Sequence, residues 1–287
     1  MIKILVDSAS DITETEAKKL GIEMIPMEIM IDGVTYFDGA NLSHEDFFKK
    51  LIETSSFPQT SQISEYRYKE KLEIMAKDGD SVIVICLSSK LSSTYHQACK
   101  AAKNFENVFV IDSLNACVGE RILTQYAINL VKQNLTIEKI VEKIEHKKSL
   151  IRVLGLLQTL KFLKKGGRIS SLVAFAGALL NVKPVIAVKD GEIKLVGKAL
   201  GSKNGNNLLN TLIKKSRGID FDMPFVTGYA DFDTVILDKY IEDSGTLWKE
   251  KCNDVPEYII GSTIGTHIGP GAIAVAFFEK EEENDQK

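Results

Sequence analysis

The chain has no apolar run long enough to cross a bilayer, which takes about 20 residues; its longest, residues 172–182, already contains Asn181. It also shows no secretory signal, because the strand-like start meets Asp7 before an apolar core region can form. Cysteine is scarce: Cys86, Cys99, Cys117 and Cys252 are the four, and no two stand as CxxC. They read as reduced, mostly buried thiols of a cytoplasmic protein, with no disulfide framework. A basic excess is missing too. The formal net charge is −3, which argues against nucleic acid as a partner and leaves membrane contact at most transient. HExxH, GxGxxG and the nucleophile elbow GxSxG are all absent. Between Gly191 and Gly197 lie five residues where a phosphate loop needs four, and Ala199 stands where a hydroxyl would hold magnesium. No metal ligand, cofactor or catalytic residue is assigned.

What is present is a regular alternation of strands and helices. The 287 residues, 44% hydrophobic and 26% charged, suit two globular domains. Residues 2–6, 81–87 and 107–111 are continuous apolar runs, as buried parallel strands read. Thr13-Glu14-Thr15-Glu16 is a capping box and Gly21 a helix stop. Residues 24–31 and 34–37 flank Asp32-Gly33, a hairpin turn. Helices are expected from Ser43, from Ser64 to about Gly79, and over 94–103, 120–133 and 137–147. This β-then-α order implies a mainly parallel sheet covered on both faces.

After about Lys148 the pattern changes. A strand over 151–157 leads to a Gly166-Gly167 break and an apolar helix to about 180. A hairpin turns at Asp190-Gly191, helices follow near 207–216 and 233–244, and strands over 224–229, 256–260 and 272–278. The expected organisation is an α/β fold in two domains. An N-terminal domain spans 1–148 on a mainly parallel sheet, and a C-terminal domain spans 149–280 on a mixed sheet. The charged run from Glu279 reads as a solvated end, with 281–287 a flexible acidic tail.

Five polar clusters fall at expected strand ends: Asp7-Ser8-Ala9-Ser10-Asp11, Thr60-Ser61-Gln62, Ser88-Ser89-Lys90-Leu91-Ser92-Ser93-Thr94-Tyr95, Gly166-Gly167-Arg168-Ile169-Ser170 and Thr266-His267-Ile268-Gly269-Pro270-Gly271. Open α/β sheets bind ligands beyond the carboxyl ends of their strands, and a helix start there suits an anion. Each Ser or Thr also reads as an ordinary cap or turn residue, and His267 as a surface histidine before the Gly269-Pro270-Gly271 turn. A hydrolase triad of Asp7, Ser92 and His267 is a further reading, as an esterase or acyltransferase.

In this order the clusters, with Lys183-Pro184, resemble the DegV family, whose members include the fatty-acid-binding subunits of bacterial fatty acid kinase. The resemblance runs through nearly the whole chain. It implies two α/β domains with a fatty acid between them, and no chemistry by the chain itself. Thr60 and Ser92 would hold the carboxylate. Ser61, Ser93, Arg168, Thr266 and His267 would form the head-group region. Leu172, Phe175, Ala176 and Leu179, on a helix apolar all round, would line the acyl tunnel. A separate fatty acid kinase would phosphorylate the presented acid; otherwise the chain would serve as a lipid carrier or regulatory module. Two departures stand out. Ser93 replaces a glycine beside the anchor, and Leu200 stands where a kinase-docking arginine is expected.

Overall fold

The computed structural model describes residues 1–169, 181–249 and 251–281. In chain order the first half contains β1 (Ile2–Asp7), α1 (Glu14–Leu20), β2 (Glu23–Ile25), β3 (Glu28–Ile31), β4 (Val34–Phe37), α2 (His44–Glu53) and β5 (Gln59–Ser61). It continues with α3 (Glu65–Met75), β6 (Ser81–Cys86), α4 (Thr94–Ala102), β7 (Val108–Asp112), α5 (Val118–Val131) and α6 (Ile137–Lys147). Strands β2-β1-β6-β7 form a wholly parallel sheet, as the buried apolar runs require. Thr13, Ser43 and Ser64 each accept the N–H three residues on, capping α1, α2 and α3.

The segment 24–31 is not one strand. Pro26 has no N–H for a ladder, so β2 joins the parallel sheet while β3 starts a separate antiparallel sheet, β4-β3-β5. The β3–β4 turn has Asp32 at φ 48° and Gly33 at φ 80°, the paired positive values that a two-residue hairpin demands.

The second half contains β8 (Ile151–Leu156), α7 (Lys161–Lys165), β9 (Val182–Lys189), β10 (Glu192–Leu200), α8 (Ser202–Lys215), β11 (Phe225–Ala230), α9 (Val235–Asp243), α10 (Gly245–Trp248), β12 (Glu257–Ile259), α11 (Ser262–Ile268) and β13 (Ala272–Phe278). Its six strands form a mixed sheet in the order β10-β9-β8-β13-β11-β12. Both faces of its central strand β13 are buried, and period-two alternation sorts them. In β13, Ile273, Val275 and Phe277 pack with Leu209, Ile213 and Trp248 on the outer face. Ala272, Ala274 and Ala276 face the N-terminal half, in one core with Val6 and Ile85. Helix α5 lies between the two large sheets, and glycines set its distance. A Cβ on Gly119 would stand 2.4 Å from Val153 Cγ2, and one on Gly228 2.8 Å from Val118 Cγ1.

Glu279 is not part of a solvated end. It is 5% exposed and its carboxylate binds Arg152 and Arg217, while its N–H donates to the Leu150 carbonyl at 2.9 Å. Glu281 reaches Lys147 at 2.7 Å. Leu172, Phe175, Ala176 and Leu179, with the apolar helix that would carry them, lie outside the described residues.

Candidate functional site

The sequence reading places no helix before the Gly269-Pro270-Gly271 turn, but residues 262–268 form helix α11. It lacks a side-chain cap of its own, because its N-cap residue is Gly261. Two carboxylates from far back in the chain replace it. Asp11 Oδ1 accepts the Gly261 N–H at 2.8 Å, and Asp38 accepts the Ser262 and Thr263 N–H groups at 3.0 and 3.1 Å. All of these residues are buried. Anions at a helix N-terminus satisfy its free donors and its dipole together. His44 Nε2 stands 3.5 Å from Asp38 Oδ1. Burial by itself would raise the Asp38 pKa. His44 and the Thr263 N–H outweigh it and hold the carboxyl below its ordinary range. Burial pushes His44 down, and Asp38 more than reverses that.

The other end of α11 carries His267 to the wall of a cavity of about 870 Å³, its open mouth included. The cavity lies between the inner face of the mixed sheet and the N-terminal loops. Val153, Gly155, Ile186, Val188 and Ala274 form its sheet wall, and Met27, Leu87 and Ala116 stand opposite. Gly155 pairs with Ile186 on one side and Ala274 on the other, so the smallest side chains meet mid-sheet.

Polar groups gather at one end. Thr60, on β5, places Oγ1 3.0 Å from His267 Nε2. Arg168 donates from Nε to the Leu91 carbonyl at 3.3 Å and from Nη1 to the Gly166 carbonyl at 2.7 Å. Both acceptors are neutral, and among the described residues no carboxylate pairs with this guanidinium. Ser92, next after Leu91, shares a hydrogen bond with Thr94 Oγ1 at 2.9 Å, and that oxygen accepts the Ile63 N–H at 3.3 Å. The Ser92 loop is thereby tied to the segment following Thr60. Thr60, Ser92, Arg168 and His267 are half-buried, while most of the sheet wall is buried.

His267 is not a surface histidine. Burial first, then the Arg168 charge, lower its pKa to about 4, so the ring is neutral at pH 7. Its Nδ1 is buried without a partner among the described residues, as is Thr263 Oγ1 one turn earlier on the same cavity wall. A Cβ on Gly166 would stand 2.1 Å from Nδ1, so this approach admits only glycine. Ser61 and Gln62 also line the cavity. Two expected head-group residues do not. Ser93 is exposed at the start of α4, and the buried Thr266 hydroxyl donates to the Ser262 carbonyl within α11 at 2.9 Å.

The hydrolase arrangement is not formed. His267 Nε2 is engaged by Thr60, and Ser92 Oγ by Thr94. Asp7 instead joins strand ends, accepting from Ala9 N at 2.9 Å and Leu87 N at 2.8 Å. No group of three or more metal-binding side chains occurs among the described residues, and no described helix is long and apolar enough to cross a membrane.

Asp11 stands in the sequence reading only as part of a strand-end cluster, and the other residues that fix α11 (Asp38, His44) and the sheet wall (Gly155, Ile186, Ala274) are not singled out there as site residues. The alternation of Ala272, Ala274 and Ala276 with large residues was the available signal for the wall.

Comparison with known proteins agrees with this architecture. A family model described as "Uncharacterised protein, DegV family" matches residues 1–280. A DegV domain-containing protein of Caldanaerobacter subterraneus subsp. tengcongensis is 33% identical over 284 residues, covering 97% of this chain and 99% of its own. One from Clostridium acetobutylicum is 32% identical over 289 residues, with coverage of 97% and 99%. Among solved structures, a fatty-acid-binding DegV family protein from Thermus thermophilus superposes with a TM-score of 0.85 at 26% identity, covering 97% and 99% of the two chains. DegV from Bacillus subtilis, a fatty acid binding protein, gives 0.82 at 27% identity with the same coverage. Matched end to end by the family model and by these relatives, the chain belongs to the DegV family.

Proposed function

We propose that the protein binds a long-chain fatty acid in the cavity, carboxylate at the polar end, and presents it to a separate fatty acid kinase. One observation carries the reading. An otherwise apolar cavity ends at the Thr60–His267 pair and at an Arg168 that no described carboxylate neutralises. Burying methylenes contributes roughly 0.8 kcal/mol each, on the order of 10 kcal/mol gross for a long chain before ordering costs. A buried carboxylate needs donors to offset its lost hydration, and the hydroxyls of Thr60 and Ser92 with the guanidinium supply them. The fatty-acid-binding relatives from T. thermophilus and B. subtilis support the ligand class.

Presentation is supported by the contrast between ends, since the head-group residues are half-buried and most of the acyl wall is buried. Leu200, 64% exposed at the end of β10, stands where a kinase-docking arginine is expected, so a kinase would need a contact other than a basic one at this position.

The test is extraction of the denatured recombinant protein into organic solvent and mass spectrometry of the extract. Near-stoichiometric long-chain fatty acid is expected. Ser92→Ala and Thr60→Ala should each weaken binding by roughly tenfold to a hundredfold, as lost hydrogen bonds to a charged group do, with the fold intact by circular dichroism. Unchanged affinity in both would remove these hydroxyls from the anchor. Phosphorylation of the bound acid by added kinase and ATP tests presentation.

A further inference from the structure

Resting on the fatty-acid reading above, we propose that the Val153–Val188 pair is a sill between the acyl cavity and a second groove, and that this groove takes the methyl end of chains too long for the cavity. The polar end of the cavity lies at the C-terminal end of β8. Leu157 follows that strand, Arg168 lies beyond it, and α11, which carries His267, leads into the antiparallel neighbour β13. Back along β8 from Leu157, the cavity wall passes Gly155 and then Val153. Four residues of strand cover about 13 Å, so Val153 stands at the end away from the head group. There it pairs with Val188, and Val188 with Ile193, making a row of branched side chains across three strands.

Below that row the sheet parts. The β8–β9 ladder stops at Val153–Val188. Beyond it β8 runs back to Ile151 alongside β13, while β9 runs on to Lys189 alongside β10. A groove of about 1140 Å³, open space included, occupies this notch, with Leu114, Ile151, Leu154, Ala187 and Phe277 among its walls. Val153 and Val188 line both the cavity and the groove, so these two residues stand between the two spaces. Lys148, Arg152 and Lys189 also border the groove. The apolar members of this lining suit a hydrocarbon end.

The full chain and its Val188→Ala and Val188→Phe variants are stripped of lipid and offered an equimolar series of saturated fatty acids of increasing length. Bound acids are quantified by mass spectrometry, and thermal melts establish that each variant is folded. Val188→Ala lowers the sill and shifts the preference to longer acids, with about a tenfold gain in affinity for two methylenes newly buried. Val188→Phe shifts it to shorter ones. Val153→Ala serves as the second lowered sill if Val188→Ala fails to fold. The same length preference in folded, loaded variants overturns the sill and leaves fatty acid binding standing. A wild-type chain that takes up none of the acids overturns fatty acid binding, and the sill with it.

Discussion

His267 shows how one side chain's surroundings decide its chemistry. With a pKa near 4 the ring is a neutral hydrogen-bonding partner for Thr60, and Arg168 is left as the cation nearest to it. The folded value lies below the 6.5 of a free histidine. Between those two values the unfolded chain binds the extra proton, so this residue's contribution to stability falls as pH drops from 6.5 toward 4. Ring-proton NMR of lipid-stripped protein should give a His267 midpoint near 4; a midpoint near 6.5 would mean a ring open to water. His267→Gln should correspondingly gain stability relative to wild type as the pH falls through the same window. Asp7 moves oppositely. Burial, against the Leu87 and Ala9 donors, raises it to about 7, so its share of stability is lost as pH rises through that range.

Among the elements, α11 matters most to the site and was least legible in the sequence. It is seven residues long, contains Gly265, and is bounded by Gly261 and Gly269. Its cap comes from carboxylates more than two hundred positions away, which no local pattern announces. Asp38→Ala would leave the Ser262 and Thr263 donors and the facing His44 without a carboxylate. That should cost about 2 kcal/mol in urea unfolding and weaken fatty acid binding through a looser His267; an unchanged midpoint would show that water replaces the cap. Strand β6 was legible because burial on both faces leaves a nearly unbroken apolar run, and β1 and β7 were legible because most of their residues are apolar. The capping hydroxyls of α1, α2 and α3 were legible because cap and helix adjoin. Thr60, Ser92, Arg168 and His267 were singled out by motif order, and the structure brings them to one end of one cavity. The split of residues 24–31 turned on Pro26, a signal present in the sequence but unused.

Across the whole molecule the two halves share α5 and one continuous core. Gly119 is where α5 rests against β8, with an added Cβ also 2.8 Å from Asn115 Oδ1. Gly119→Ala should therefore cost about 1–3 kcal/mol as overpacking. Calorimetry should show one transition, lowered by a few degrees; two separated transitions would mean that the halves unfold independently. The order of the mixed sheet has a consequence for how the protein is made. Strand β13 is the last strand in the chain among the described residues, yet it sits third from one edge and fourth from the other, between β8 and β11. Chains fold as they leave the ribosome, N-terminal parts first. The parallel sheet can form early, but β8 and β11 must keep unpaired edges until Ala272–Phe278 emerges. The cavity is thus among the last features to close, and a chain whose synthesis stops short of Ala272 would carry two open sheet edges and lack the Ala274 part of the cavity wall.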